Sequence, residues 1–242
     1  PFFEVRGYEN LWAVDLSRSE LNNKESTGYL SYNFGQLYMD KECNWNRYVV
    51  PIEEMATFNF AQYVSERQDN CWAVDCMHGV LYLYSESNPN EHEMRVSVGK
   101  HGLNLREVRN VIVSDLEITG VGVSGATITD CTDISVRNCL FRNIGGALTA
   151  DGIRYGNGIQ ITNVANGISI LNNAFDWVYD CGYSDADINV TDRQENITIR
   201  GNIFSHCYCG IAQYDDFRSL VPASKFAIED NLVFESCGVT NP

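Results

Sequence analysis

Five nine-residue segments in the second half of the chain can be laid over one another. They are NVIVSDLEI at 110–118, DISVRNCLF at 133–141, GISILNNAF at 167–175, NITIRGNIF at 196–204 and KFAIEDNLV at 225–233. The shared template is apolar, x, apolar, x, Asn/Asp/Gly, x, x, apolar. Its first position falls at Val111, Ile134, Ile168, Ile197 and Phe226, giving steps of 23, 34, 29 and 29 residues. Alternation makes the first part of each segment a strand. The Asn, Asp or Gly that follows marks a turn. A second alternating stretch lies within each step, at 126–128, 158–161, 186–190 and 210–214. Steps of this length, holding short strands and no helical period, predict a coil that returns to the same place on every turn. That is a parallel β-helix. The longer steps then carry loop insertions, which collect on one face.

These repeats resemble the right-handed parallel β-helix of the pectate-lyase-like superfamily. The stretches around Gly145, Gly146, residues 154–159 and residues 179–182 are similar to those of bacterial β-helix proteins that act on glycans. The resemblance covers about residues 106–242. It implies a solenoid of stacked rungs, carbohydrate chemistry and an extracellular or cell-surface bacterial setting. Residues 226–233 open a rung that the remaining sequence does not complete, so further rungs or a partner subunit are expected to cover that end.

Residues 1–105 lack the repeat and read as a β-rich, sandwich-like module that precedes or is inserted in the solenoid of 106–242. Its expected strands are at 11–16, 28–34, 36–39, 57–60, 81–84 and 94–98, with a hairpin through 71–84 that turns at Gly79. The overall expectation is therefore an all-β chain. The tetrapeptide Trp-Ala-Val-Asp occurs at 12–15 and again at 72–75. Without flanking similarity it reads as coincidence.

Stacking places equivalent positions of successive rungs about 4.8 Å apart. One such column reads Thr119, Arg142, Asp176, Ser205, Phe234, and the next Gly120, Asn143, Trp177, His206, Glu235. Two further columns place Tyr179 beside Tyr208 and Asp180 beside Cys209. Small residues in the first rung give way to charged and aromatic ones in the middle rungs, which is the pattern of a site. Glycoside hydrolysis needs two carboxyl groups, about 5–5.5 Å apart for retention or about 6.5–9.5 Å for inversion. Asp180 and Asp187 lead the candidates, followed by Asp151, Asp176 and His206; Asp185, Asp215 and Asp216 complete the nearby acids. Asp176 is expected above all to pair with Arg142 across rungs. Trp177, Tyr155, Tyr179 and Tyr208 are candidates for stacking on sugars, and Asn157, Gln160, Gln213 and Arg154 for polar contacts. Asp185 and Asp187 share a strand face that can hold Ca²⁺, but no metal or other cofactor is assigned. His78, His92 and His101 read as loop residues. The Asn residues at 138, 172, 173, 202 and 231 read as turn ladders.

The formal charge of −15 opposes binding to nucleic acid and disfavours a long polyanionic substrate. No apolar run reaches the ~18 residues of a membrane helix. The nine cysteines show no CxxC spacing and read mostly as small buried side chains. The leading expectation is a glycoside hydrolase with paired Asp carboxylates. A uronate lyase using Arg154 or His206 as base, and a noncatalytic glycan-binding, adhesin or tail-spike module, are the alternatives. After residue 105 the bases are one Lys and eight Arg, which favours the hydrolase over the lyase.

Overall fold

The computed structural model describes residues 1–17, 19, 21, 34–45, 54, 56–68, 71–148, 154–186, 193–214 and 224–236. The chain divides into two compact units, residues 1–100 with 146–155, and residues 101–145 with 156–242. The division differs from one at residue 105, because residues 103–106 already pair within the solenoid.

The first unit contains β1 (Phe3–Glu4), β2 (Leu11–Asp15), β3 (Phe34–Met39), β4 (Glu42–Trp45), α1 (Phe60–Arg67), β5 (Trp72–Asp75), β6 (Val80–Tyr84) and β7 (Met94–Val98). One antiparallel sheet runs β1-β2-β6-β5 and another β4-β3-β7. Phe34 and Leu37 of the second sheet share a core with Trp72, Val74, Leu81 and Leu83 of the first, so the sandwich expectation holds for these sheets. A strand was expected at 57–60. Instead Asn59 caps α1 by accepting the Gln62 amide at 3.0 Å. Phe60 and Val64, one helical turn apart, are buried against Leu11 and Ala73. The repeated Trp-Ala-Val-Asp has a physical basis in pairing. Trp12 and Trp72 both oppose Leu83, and Asp15 and Asp75 both oppose Val80, so the two copies meet the central strand β6 in one register from its two sides.

The second unit is the solenoid. Its strands are β8 (Leu103–Arg106), β9 (Arg109–Ser114), β10 (Glu117–Val121), β11 (Ala126–Arg137), β12 (Leu140–Ile144), β15 (Ile159–Leu171), β16 (Ala174–Ala186), β17 (Gln194–Arg200), β18 (Ile203–Tyr214), β19 (Ser224–Glu229) and β20 (Leu232–Phe234). Between them, β13 (Ala147–Leu148) and β14 (Arg154–Tyr155) form a hairpin that belongs to the first unit. All pairings in the solenoid sheet are parallel. They make three ladders, here called faces A, B and C. Face A stacks β8, the starts of β11 and β15, and the ends of β16 and β18. Face B stacks β9, the ends of β11 and β15, β17 and β19. Face C stacks β10, β12, the starts of β16 and β18, and β20.

The register on faces B and C is the one the template requires. Val111, Ile134, Ile168, Ile197 and Phe226 form one core column. Ile118, Phe141, Phe175, Phe204 and Val233 form another. The rings of Phe141, Phe175 and Phe204 stack nearly parallel, with centroids 5.0 and 4.8 Å apart. At the corner between faces B and C, Asn173, Asn202 and Asn231 form a hydrogen-bonded ladder. Each side-chain oxygen accepts the amide of the rung before it, at 2.9 Å. Each side-chain nitrogen donates to a carbonyl of the preceding rung, at 2.8–3.0 Å. Beside this ladder, Asp115, Asn138, Asn172, Gly201 and Asp230 all take the left-handed conformation (φ 53–68°), where Gly, Asn and Asp are the least strained residues.

Two strand expectations are corrected. The second strand of the fourth rung starts at 183, three residues before the expected 186–190, and is described as far as 186; residues 187–190 lie outside the described residues. Between Val178 and Cys181 the register shifts by one residue, so Cys181, not Asp180, is the partner of Cys209.

Where face C passes into face A, Gly125, Gly158 and Gly182 lie against the rings of Phe141, Phe175 and Phe204. A Cβ on Gly125 would stand 2.7 Å from both the Gly158 carbonyl oxygen and Phe141 Cδ1. Neither can retreat, one being backbone and the other a ring fixed in the stack. Gly125→Ala is therefore expected to destabilise the protein by about 1–3 kcal/mol, measured by chemical denaturation.

Candidate functional site

The outer surface of face C carries the cluster that the columns pointed to. Strand alternation sends Phe141, Phe175 and Phe204 inward and the next residues, Arg142, Asp176 and Ser205, outward. The position after that takes the left-handed conformation in every rung. Gly120, Asn143, Trp177, His206 and Glu235 all have φ of 50–67°. In the first two rungs this left-handed position holds residues that tolerate it. In the next three it holds Trp, His and Glu, at a cost of roughly 1–2 kcal/mol each. Strain of this kind gathers at functional sites.

Asp176 is the hub. Its Oδ2 accepts from Arg142 Nε at 3.2 Å, the cross-rung ion pair expected from sequence. Its Oδ1 accepts from Ser205 Oγ at 2.9 Å and lies 2.9 Å from His206 Nδ1. The other ring nitrogen, Nε2, is 2.8 Å from Glu235 Oε2. His206 thus joins two carboxylates lying one rung to either side of it. Its nitrogens are about 2 Å apart, so the two contacted oxygens are separated by at most about 8 Å. Ser205 bonds Asp176, and no bond between its hydroxyl and the imidazole is formed, so the set is not that of an activated serine.

Trp177 stacks on His206 with centroids 4.4 Å apart and planes 3° apart. One face of the indole is therefore occupied, which limits its expected role as a sugar platform to its other face and exposed edge. Tyr208 is 49% and Phe234 42% exposed on the same face. Tyr179 is half-buried.

Asp180 occupies the extra residue of the register shift. Its amide donates to the Gly156 carbonyl at 3.2 Å, and its carboxyl lies 3.4 Å from the Cys181 thiol. Burial pushes its carboxyl above the ordinary carboxylate value, with the Cys181 bond opposing in part.

Other expected site residues have different surroundings. Asn157 is buried and accepts the Cys181 amide at 3.1 Å, which makes it a corner residue. Gln160 accepts from Ser124 Oγ at 3.1 Å on face A. Asp185 is buried in the core column that also holds Ile128 and Ile161, accepting from the Tyr183 hydroxyl at 3.1 Å. A cation on the outside of that strand is thus not what its side chain addresses. Gln213 continues this column in the last face A strand and is exposed. Arg154 and Tyr155 belong to β14 in the first unit, and their side chains lie outside the described residues. Asp151, Asp187, Asp215 and Asp216 also lie outside them. Among the described residues no group of three or more His, Cys, Asp or Glu is placed to hold a metal ion. Ser205 and Glu235 lie in the same sequence columns but are not among the expected site residues. The signal that could have found them was their adjacency to Asp176 and His206.

The right-handed beta helix region family model matches residues 97–241, well over half of the chain. The chain belongs to this family. No curated protein and no solved structure gives a significant match.

Asp180 yields a test through proton linkage. A carboxyl whose pKa is raised on folding binds more protons in the folded than in the unfolded state. Stability is then lost as pH rises from the ordinary carboxylate range through the raised value. Asp180→Asn removes that loss. The variant is expected to be more stable than wild type at pH 7 and to converge with it toward about pH 4, measured by denaturation across pH.

Proposed function

We propose that this β-helix protein is a glycoside hydrolase acting on face C, on a neutral or weakly charged glycan. The observation that carries the reading is His206 held between Asp176 and Glu235 on a strained, partly open column flanked by aromatic side chains. Asp176 is saturated by Arg142, Ser205 and His206, so it positions the imidazole rather than reacting. The imidazole in turn holds the exposed Glu235 carboxyl, which serves as the base that activates water. Asp180, the carboxyl that burial keeps protonated to higher pH, is the proton donor to the leaving oxygen. Two carboxyls in contrasting environments are the usual basis for dividing these roles.

Acidic groups on face C and the pairing of Arg142 with Asp176 speak against a uronate substrate, whose carboxylate requires a free cation. Exposed Tyr208 and Phe234 are equally suited to binding without turnover, which keeps the noncatalytic glycan-binding module as the second reading.

The test is a panel of neutral, amino-sugar and uronate polysaccharides, scored for new reducing ends and for ultraviolet-absorbing unsaturated ends. Wild type is expected to release reducing ends alone. Glu235→Gln, His206→Ala and Asp180→Asn are each expected to lower turnover by about 10²–10⁴-fold, with unchanged circular dichroism. Unsaturated ends would replace hydrolysis by elimination. Saturable binding with no turnover anywhere on the panel would leave a binding module.

A further inference from the structure

A second hydrogen-bonded chain of side chains lies in the first unit, independent of face C. Asp40 and Lys41 form the tight turn between β3 and β4, with Asp40 at φ 55°. The Asp40 amide donates to the Glu93 carbonyl at 2.9 Å, and Asp40 Oδ1 accepts the Glu93 amide at 2.9 Å. These paired bonds fix the carboxyl beside His92. Asp40 Oδ2 is 2.8 Å from His92 Nδ1, and His92 Nε2 is 2.9 Å from Ser87 Oγ.

The direction of each bond follows from what each group can do. The His92 bond and the Glu93 amide hold the Asp40 carboxyl below its ordinary value, so it is ionised and only accepts. In the neutral ring His92 Nδ1 therefore carries the hydrogen, and Nε2 is the nitrogen that can accept from the Ser87 hydroxyl. Ser85 Oγ donates to the Ser87 carbonyl at 2.8 Å and lies 3.3 Å from Ser87 Oγ, so the imidazole nitrogen at 2.9 Å is the nearer of the two acceptors facing the Ser87 proton. Ser87 itself is exposed.

We propose that Ser87, His92 and Asp40 form a serine hydrolase site for short, unhindered acyl esters. Ser87 Oγ attacks the ester carbonyl carbon while its proton passes to His92 Nε2. The carbon–oxygen bond to the alcohol breaks, and the alcohol leaves with that proton. Water then gives a proton to His92 and attacks the acyl carbon. The Ser87–acyl bond breaks, the carboxylic acid departs and Ser87 recovers its proton. Asp40 is a positioning residue that sets the tautomer of the ring.

The experiment uses the full chain, with a fluorophosphonate probe read by peptide mass spectrometry and p-nitrophenyl acetate as substrate. One equivalent of label on Ser87 is expected. Ser87→Ala should abolish labelling and lower ester hydrolysis by about 100-fold or more, as should His92→Gln. Asp40→Asn should lower kcat with KM unchanged and Asp40→Glu should restore part of the rate, a split and rescue that a purely structural bond would not give. His206→Ala should leave ester hydrolysis intact, separating this site from face C. Absence of label, label on another residue, or unchanged hydrolysis in Ser87→Ala would overturn the proposal. Ser87→Ala alters only an exposed hydroxyl, so it decides the matter even where His92→Gln fails to fold.

Discussion

Every rung of the solenoid has to turn corners, and at each corner the backbone leaves the ladder that satisfies it. A buried amide or carbonyl left unbonded costs about 1–3 kcal/mol, and each further rung repeats the problem. The ladder of Asn173, Asn202 and Asn231 solves it at the corner between faces B and C, because each side chain supplies an acceptor and a donor to the rung before it. With that corner fixed, the residues after Asn173 and Asn202 place Phe175 and Phe204 inward and Asp176 and Ser205 outward at matching heights. The Phe stack and the Arg142–Asp176–His206–Glu235 chain are two sides of that one register.

The glycines where face C passes into face A are the complement of this arrangement. A stack of aromatic rings fills one side of the interior, and room for it is made by removing side chains from the segment that passes over it. The fold thus tolerates little change on the inside of face C. Its outside is constrained by the left-handed position, and Trp177 and His206 are held in that conformation by ladder pairing on either side. Rigid below and variable above is the arrangement that lets a solenoid carry chemistry on one face.

The sequence was most legible where hydrophobic alternation coincided with a turn residue. Faces B and C satisfy both, and their columns could be written down residue by residue. Face A was less legible for a physical reason. In the fourth rung its core positions are filled by Tyr183 and by Asp185, which is buried through its bond to Tyr183. An interior column containing a carboxylate does not alternate in hydropathy, so the start of this strand at Tyr183 is not marked by the pattern. The slip at Val178/Cys181 was hidden similarly, since one extra residue at a corner leaves the flanking strands unchanged. In the first unit, Thr-Phe-Asn-Phe at 57–60 alternates like a strand, yet Asn59 acts as a helix cap and Phe60 pairs with Val64 on one helical face. Local pattern favoured one period, and capping with burial favoured the other.

The candidate sites show a different limit. Asp176, Trp177 and His206 could be found from their column because repetition converts sequence spacing into spatial adjacency. Ser87, His92 and Asp40 could not. Ser87 and His92 are five residues apart, but Asp40 arrives from a hairpin turn in another part of the sheet, through pairing of β3 with β7. Nothing in composition or spacing marks that meeting. In a repeat, a candidate column appears as a departure from the repeat's own rule, here bulky residues where Gly and Asn suffice. In a non-repeating module no such rule exists to be broken, and the positions that matter emerge only once the pairing of distant strands is known.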